Sequence, residues 1–149
     1  MKLSLALLSS LFLCSCNRQA VVRPPAPEPP KAVAEVNFEL TAVEVVESAE
    51  EDAVGLVKVF VDNELAGQTQ AGPRSSERRW LGALAPGNRL LRLEQWAAGP
   101  TGDPQLLPEE LQPRERFVRV EEGFRTRVLV RFTDGGRKST IQVSRDPLR

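Results

Sequence analysis

Short alternations of apolar and polar residues run along the chain from residue 33 to about residue 146. In the stretch AEVNFEL, the apolar side chains lie on one side of an extended chain, namely Val36, Phe38 and Leu40. After Thr41 the apolar positions change parity, to Val43 and Val45. This change predicts a β-bulge or a strand that crosses from one sheet to another.

The middle of the chain repeats the strand pattern twice. GLVKVFVDNELAGQT places three valines inward (Val57, Val59 and Val61), and Asp62-Asn63 then forms a tight turn. In APGNRLLRLEQW a Pro-Gly turn precedes Leu91 and Leu93 at strand spacing. Residues 97–114, with four Pro and two Gly, predict a long crossover loop that includes a helical turn at residues 108–111. We expect its leucines to pack on the core: Leu106, Leu107 and Leu111.

The C-terminal third contains three alternating runs, RFVRV, RTRVLVRFT and KSTIQVSR. Residues 121–123 and 134–136 separate these runs and predict two hairpin turns. The predicted inner face consists of Val118, Val120, Val128, Val130, Phe132, Ile141 and Val143. Many short strands without a convincing helix predict an all-β fold, a single antiparallel β-sandwich over residues 33–146 with a tail at 147–149. About 110 residues suffice for one core and are too few for two domains.

The first residues have the pattern of an export signal. One positive charge at Met1-Lys2 precedes an apolar stretch from Leu3 to Leu13. This stretch is shorter than the roughly 20 residues that a membrane-spanning helix needs. A charged start, a short apolar segment and small residues before a cleavage site are typical of a secretory signal peptide.

The residues Leu13-Cys14-Ser15-Cys16 resemble the lipobox of bacterial lipoproteins. The resemblance implies cleavage after Ser15, a signal peptide over residues 1–15, and a diacylglyceryl group and an acylated amino terminus on Cys16. In that family Asp after the lipidated Cys favours the inner membrane, so Asn17 favours the outer membrane here. Two alternatives remain: Cys14 as the acceptor, or an ordinary signal peptide followed by a free or disulfide-bonded Cys. The chain has no third Cys as a disulfide partner.

Residues 16–32 are rich in proline, with Pro at positions 24, 25, 27, 29 and 30. Proline fixes φ and removes backbone donors, so this stretch predicts an extended polyproline II path. We expect a semi-rigid spacer between the lipidated end and the β-sandwich. The alternative is a ligand for a proline-binding groove on another protein.

A second, shorter resemblance covers about 40 residues. VKVFVDNELAGQT followed by LAPGNRLLRLEQW resembles PEGA-type, Ig-like surface β-domains, with Gly67-Gln68-Thr69 and Pro86-Gly87 at the matching places. Asp62-Asn63 stands where those domains usually have Asp-Gly, and the PEGA tetrapeptide is missing. The resemblance implies a fold and no specific activity.

Composition excludes several kinds of chemistry. The chain has no His and no Tyr, which excludes Ser-His-Asp and Cys-His catalysis and His-ligated zinc sites. Equal numbers of basic and acidic residues give no argument for nucleic-acid binding. Three acidic groups leave a carboxylate-dependent hydrolase or a calcium site as alternatives to solvated loops: Glu47 with Glu50-Glu51-Asp52, Glu109-Glu110 and Glu121-Glu122. We predict no cofactor and no enzymatic activity.

Charge is distributed unevenly along the chain. Residues 33–57 carry seven acidic side chains and no basic ones, whereas residues 114–149 carry ten basic and five acidic ones. On the C-terminal strands the outward positions carry Arg119, Arg127 and Arg131 together with Phe117 and Leu129. These arginines are either a patch for an anionic partner or cross-strand partners of Glu35 and Glu39.

The segment TQAGPRSSERRW is the best candidate for a recognition loop, with Arg74, Arg78, Arg79 and Trp80 close together. Trp80 and Trp96 are either core residues or platforms for a sugar.

The sequence predicts a lipid-anchored envelope protein with a non-catalytic binding or scaffolding module. Its partner would be an envelope protein, and the chain could be an accessory subunit of a secretion or motility complex. The alternative is a carbohydrate- or peptidoglycan-binding module.

Overall fold

A computed structural model describes residues 35–148. These residues form ten β-strands and two short 3-10 helices, at Ala49–Glu51 and Glu109–Leu111. The strands are β1 Phe38–Glu44, β2 Val54–Val61, β3 Glu64–Gln68, β4 Gly72–Pro73, β5 Arg78–Gly82, β6 Gly87–Ala98, β7 Pro104–Leu106, β8 Arg116–Val120, β9 Phe124–Thr133 and β10 Lys138–Pro147. The predicted signal peptide, the cleavage after Ser15, the modified Cys16 and the proline-rich spacer lie outside the described residues.

The strands form two sheets, which confirms the predicted all-β, sandwich-like fold. Sheet A has the order β10-β9-β1-β5. Sheet B has the order β3-β2-β6-β7, with β4 also paired to β2 and β8 also paired to β6. The prediction of purely antiparallel pairing is wrong at one place, because β1 lies parallel to β9. That pairing sets the acidic N-terminal strand beside a strongly basic one.

The core fills the space between the sheets. Its buried side chains are Phe38, Leu40, Ala42, Val57, Val59, Leu91, Leu93, Val118, Val120, Val128, Val130 and Phe132. The alternation in the sequence predicted all of these positions except Ala42. Among residues 35–148, the core begins at Phe38 and lies within the compact unit Val33–Arg149.

Strand β1 keeps a single parity, so the predicted bulge or crossing after Thr41 is wrong. Buried and half-buried residues alternate from Phe38 to Glu44 without interruption, and the register with β9 is continuous. The apolar pattern changes because Glu44 takes an inward position, where only 4 % of its surface is exposed. The change of apolar parity after Thr41 therefore reflects a buried, paired carboxylate and not a bulge or a crossing strand.

The two predicted C-terminal turns have different roles. Asp134-Gly135-Gly136 joins β9 to β10 as an antiparallel hairpin, and all three residues have positive φ. Residues 121–123 do not form a hairpin, because β8 pairs with β6 in sheet B whereas β9 belongs to sheet A. Val143 was predicted to be buried but is 38 % exposed, since β10 is the outermost strand of sheet A. Ile141 packs against the edge of the core, as predicted.

The turn Asp62-Asn63 joins β2 to β3 as predicted. Both residues have positive φ, 52° and 70°, which is typical of a type I′ hairpin turn. The Asp62 carboxylate also accepts hydrogen bonds from the Leu90 N–H, at 3.0 Å, and from Arg89 Nη1, at 3.0 Å. These bonds hold the turn against the beginning of β6 and lower the pKa of Asp62, the Leu90 N–H being the larger cause.

The segment between β6 and β8 is more ordered than a crossover loop. It contains β7 and the predicted helical turn, which is the 3-10 helix after Pro108. The Gln112 side chain forms two hydrogen bonds with the backbone of Gln95. Oε1 accepts the Gln95 N–H at 2.7 Å, and Nε2 donates to the Gln95 carbonyl at 3.2 Å. Leu107 and Leu111 are half-buried, whereas Leu106 is exposed, so the packing prediction is wrong for Leu106.

Among residues 35–148, no helix is long or apolar enough to span a membrane.

Candidate partner-binding surfaces

Arg74, a predicted recognition residue, is bound to a carboxylate inside the protein. Its Nε donates to Glu44 Oε2 at 2.7 Å, and its Nη2 donates to Glu44 Oε1. Gly136, in the β9–β10 turn, lies over this pair, and a Cβ there would be 3.3 Å from Arg74 Nη2. The two hydrogen bonds commit the Arg74 guanidinium to holding the end of the sandwich together.

Arg78 also points into the protein, since it lies opposite the inward-facing Ala42 and is only 3 % exposed. Its guanidinium lies beneath Gly55, where a Cβ would be 3.1 Å from Nη1. Burial lowers the pKa of the Arg78 guanidinium, and the nearby Glu44 carboxylate counteracts this shift. Glu44 therefore neutralises the half-buried Arg74 and the buried Arg78, and both guanidinium groups are committed to internal contacts.

Trp80 fills the gap between the edges of the two sheets. Its ring packs on Phe38 with 5.8 Å between ring centroids, and it occupies the space that Cβ atoms on Gly67 and Gly82 would need. Thr69, two residues after Gly67, is buried and accepts the Val57 N–H at 3.0 Å. The G-x-T sequence at the end of β3 thus has a packing role. Gly67 leaves space for the indole of Trp80, and Thr69 binds the backbone of β2 just after β3 ends.

Two other predicted arginines, Arg79 and Arg127, lie on the outer face of sheet A. Arg127 donates to Glu39 on the neighbouring strand at 3.2 Å and contacts Asp146 on the other side at 2.7 Å. Arg79 pairs with Glu77, which raises the pKa of the Arg79 guanidinium. These pairs agree with the cross-strand alternative for Glu39 and Arg127.

The predicted arginine patch is divided between two sheets. Arg131 is exposed on the outer face of sheet A, whereas Arg119 belongs to β8 in sheet B and contacts Glu121 at 3.2 Å. The prediction that Arg119, Arg127 and Arg131 share one face is therefore wrong, because it assumed that β8 and β9 form a hairpin.

Glu47 and Glu51 of the first acidic group and Glu110 of the second line one open cavity. Asp52 accepts hydrogen bonds from the Ser75 hydroxyl at 2.6 Å and the Ser75 N–H at 2.9 Å, and these bonds lower its pKa. A lowered pKa is the opposite of what a general acid needs. Within residues 35–148, no three acidic side chains are grouped so that they could hold a metal ion.

The outer face of sheet B carries three exposed large apolar side chains. Phe117 is 72 % exposed, Leu65 is 58 % exposed and Leu106 is 51 % exposed. Register places Leu65 beside Phe60, Leu106 beside Trp96 and Phe117 beside Leu90. We call this surface, formed by Leu65, Phe60, Leu90, Trp96, Leu106 and Phe117, the outer B face.

Charged side chains lie against the aromatic rings of the outer B face. Lys58 Nζ lies 3.5 Å from the centroid of the Trp96 ring, and the Arg92 guanidinium lies 3.9 Å from the centroid of Phe60. Glu94 contacts one member of each pair. It forms an ion pair with Arg92 and accepts a hydrogen bond from Trp96 Nε1 at 3.2 Å. Cation–π contacts of this kind contribute about 0.5–1 kcal/mol each at exposed sites and fix the aromatic rings in place.

The alternation in the sequence already indicates part of the outer B face. Inward Val59 and Val61 require Phe60 to point outward, and inward Leu91 and Leu93 require the same of Trp96. What alternation alone could not supply is the order of the strands, which brings β3, β2, β6, β7 and β8 into one sheet.

No protein-family model matches the chain, and neither a curated protein nor a solved structure matches it at a significant level. The resemblances to bacterial lipoproteins and to PEGA-type domains therefore stay predictions from the sequence.

Proposed function

We propose that this chain is a lipid-anchored protein of the bacterial cell envelope whose β-sandwich binds a protein partner and catalyses no reaction. Cys16 would carry the lipid, residues 17–32 would act as a spacer, and the outer membrane is the favoured location. The chain would serve as a scaffold or as an accessory subunit of an envelope complex such as a secretion or motility machine.

The observation that carries the proposal is the tetrapeptide Leu13-Cys14-Ser15-Cys16 at the end of a short apolar stretch. Each buried methylene contributes about 0.8 kcal/mol to membrane binding, and a single acyl chain holds a protein only marginally. Three chains on Cys16 would hold the protein at a membrane without help from the sandwich.

The outer B face supports the binding part of the proposal. Aromatic residues and arginine are enriched at protein interfaces, and a group of exposed large apolar side chains marks contact surfaces. The predicted recognition loop is less suitable, because Arg74, Arg78 and Trp80 are committed to internal contacts.

A sugar-binding role has less support. Stacking on a sugar needs an open aromatic face. The ring of Trp80 is packed against Phe38 and the two glycines, and the Lys58 ammonium lies over Trp96.

Site-specific crosslinking in intact cells tests the proposal. A photoreactive amino acid at Phe117 should give a crosslinked product with another protein, whereas the same group at Leu81 on sheet A should not. Leu81 is a matched control, because it is an outward apolar residue with 56 % exposure.

A second pair of variants tests whether the product depends on the surface. Leu65→Ser should reduce the crosslink from position 117 by about tenfold, the effect of one good interface contact, and Leu81→Ser should leave it unchanged. Crosslinking from position 81 alone would contradict binding through the outer B face.

A further inference from the structure

Strand β10 forms a long free edge of sheet A. It contains ten residues, and among residues 35–148 its one neighbour in the sheet is β9. The other outermost strands, β3, β5, β7 and β8, contain five residues or fewer. A long unpaired edge presents a row of backbone donors and acceptors to which another strand can bind.

The direction of these backbone groups follows from two hydrogen bonds. The Leu148 N–H donates to the Gly123 carbonyl on the β9 side, at 2.8 Å, so the even-numbered residues of β10 face β9. The Ile141 carbonyl accepts a hydrogen bond from Arg116 Nη1, at 3.0 Å, from outside the sheet. Odd residues therefore direct their N–H and C=O groups to the free edge, and Pro147 loses no bond to β9 because its position is odd.

The sequence of β10 is complementary to itself in one antiparallel register. With Gln142 opposite Gln142 of a second copy, Ile141 lies opposite Val143 and Lys138 lies opposite Asp146. The odd residues then form hydrogen-bonded pairs, Ile141 with Val143 and Ser139 with Arg145. A shift of one residue would set odd residues opposite even ones, whose N–H and C=O groups point to β9, so that no hydrogen-bonded pair could form.

We propose that two copies of this chain associate through β10, in the register centred on Gln142, and that their A sheets form one continuous eight-stranded sheet. The two-fold axis passes between the Gln142 residues, so each contact occurs twice. Ile141 and Val143 of both copies meet on the inner side, where Val143 is now exposed to solvent. This proposal does not depend on the lipid anchor or on the outer B face.

Two groups near the edge are compatible with this pairing. The Ile141 carbonyl has two lone pairs, so the bond from Arg116 leaves one for the second copy. Lysine on an edge strand usually deters pairing. Lys138 instead lies opposite a carboxylate in this register, and its present ion pair with Asp134 is exposed, at 3.2 Å.

Sedimentation velocity over a concentration series tests the proposal on residues 17–149, which lack Cys16 but keep all of the core. The wild-type fragment should form a reversible dimer. Val143→Pro should be monomeric at every concentration, because it removes an edge donor and no bond to β9. Val143→Thr keeps the N–H and the β-branched shape and should still dimerise.

Charge reversal tests the register. Lys138→Asp and Asp146→Lys should each weaken the dimer by about tenfold, since each variant brings like charges together at both ends of the paired strands. An equimolar mixture of the two variants should restore association to the wild-type strength, because opposite charges then meet again at both ends. Circular dichroism checks that each variant is folded.

Three results would overturn the proposal. The first is a wild-type fragment that stays monomeric throughout the series. The second is a dimer that survives Val143→Pro, since it would use another surface. The third is a mixture of the two charge variants that associates no better than either variant alone.

Discussion

The Glu44 carboxylate lies inside the sandwich and serves two guanidinium groups. It binds Arg74 through both oxygens and is the main negative charge near the buried Arg78. Removing one partner of a buried ion pair is strongly destabilising, because the charge that is left has neither water nor a counter-ion. Removing Glu44 would leave Arg74 and Arg78 without their shared carboxylate, whereas removing Arg74 would leave Glu44 beside Arg78.

We predict that Glu44→Gln lowers the free energy of unfolding by about 3–5 kcal/mol, because it leaves the buried Arg78 and the half-buried Arg74 together without a carboxylate. Arg74→Gln should cost clearly less, since Arg78 remains to balance Glu44. Urea unfolding followed by tryptophan fluorescence measures both. Equal losses, or a larger loss for Arg74→Gln, would show that Arg78 does not share the Glu44 charge.

At the scale of the strands, the Asp62 turn joins two elements that are distant in sequence. Its type I′ geometry closes the β2–β3 hairpin, and its carboxylate holds the beginning of β6. Hydrogen bonds to the charged form keep the pKa of Asp62 below its ordinary value of 3.8. The contribution of these bonds to stability is therefore present above that value and is lost as the pH falls through the lowered pKa.

NMR titration of the Asp62 carboxyl carbon should show this lowered pKa. In Arg89→Gln the pKa should rise but stay below 3.8, because the Leu90 N–H, the larger cause, still donates. In Asp62→Asn the loss of stability on acidification below about pH 4 should become smaller. An Asp62 pKa at or above 3.8 in the wild-type protein would contradict the hydrogen bonding that we describe.

Strand positions and inward faces could be predicted from the sequence because burial imposes a period of two on each strand. The pattern failed where an inward residue is charged, as at Glu44, and where a strand overhangs the core, as at Val143. It also could not tell that residues 121–123 change sheets, because a short polar turn has the same composition whether it joins paired strands or separate sheets. The outer B face depends on strand order, which is set by contacts between distant residues.

At the scale of the whole molecule, the proposed parts are independent of one another. The sandwich has its own core after residue 37. The outer B face and the β10 edge are separate surfaces, on sheet B and sheet A. A membrane anchor would raise the local concentration of such modules, so that weak contacts between them could form without any change in their intrinsic affinity.

The most direct test of the central claim is mass spectrometry of the N-terminal peptide of the protein purified from bacterial membranes. We predict a mature chain that begins at Cys16, with a diacylglyceryl group on the sulfur and an acyl group on the new amino terminus. Cys14→Ser should leave this product unchanged, and Cys16→Ser should abolish it. An unmodified thiol at Cys16, or a mature chain that begins elsewhere, would contradict the account.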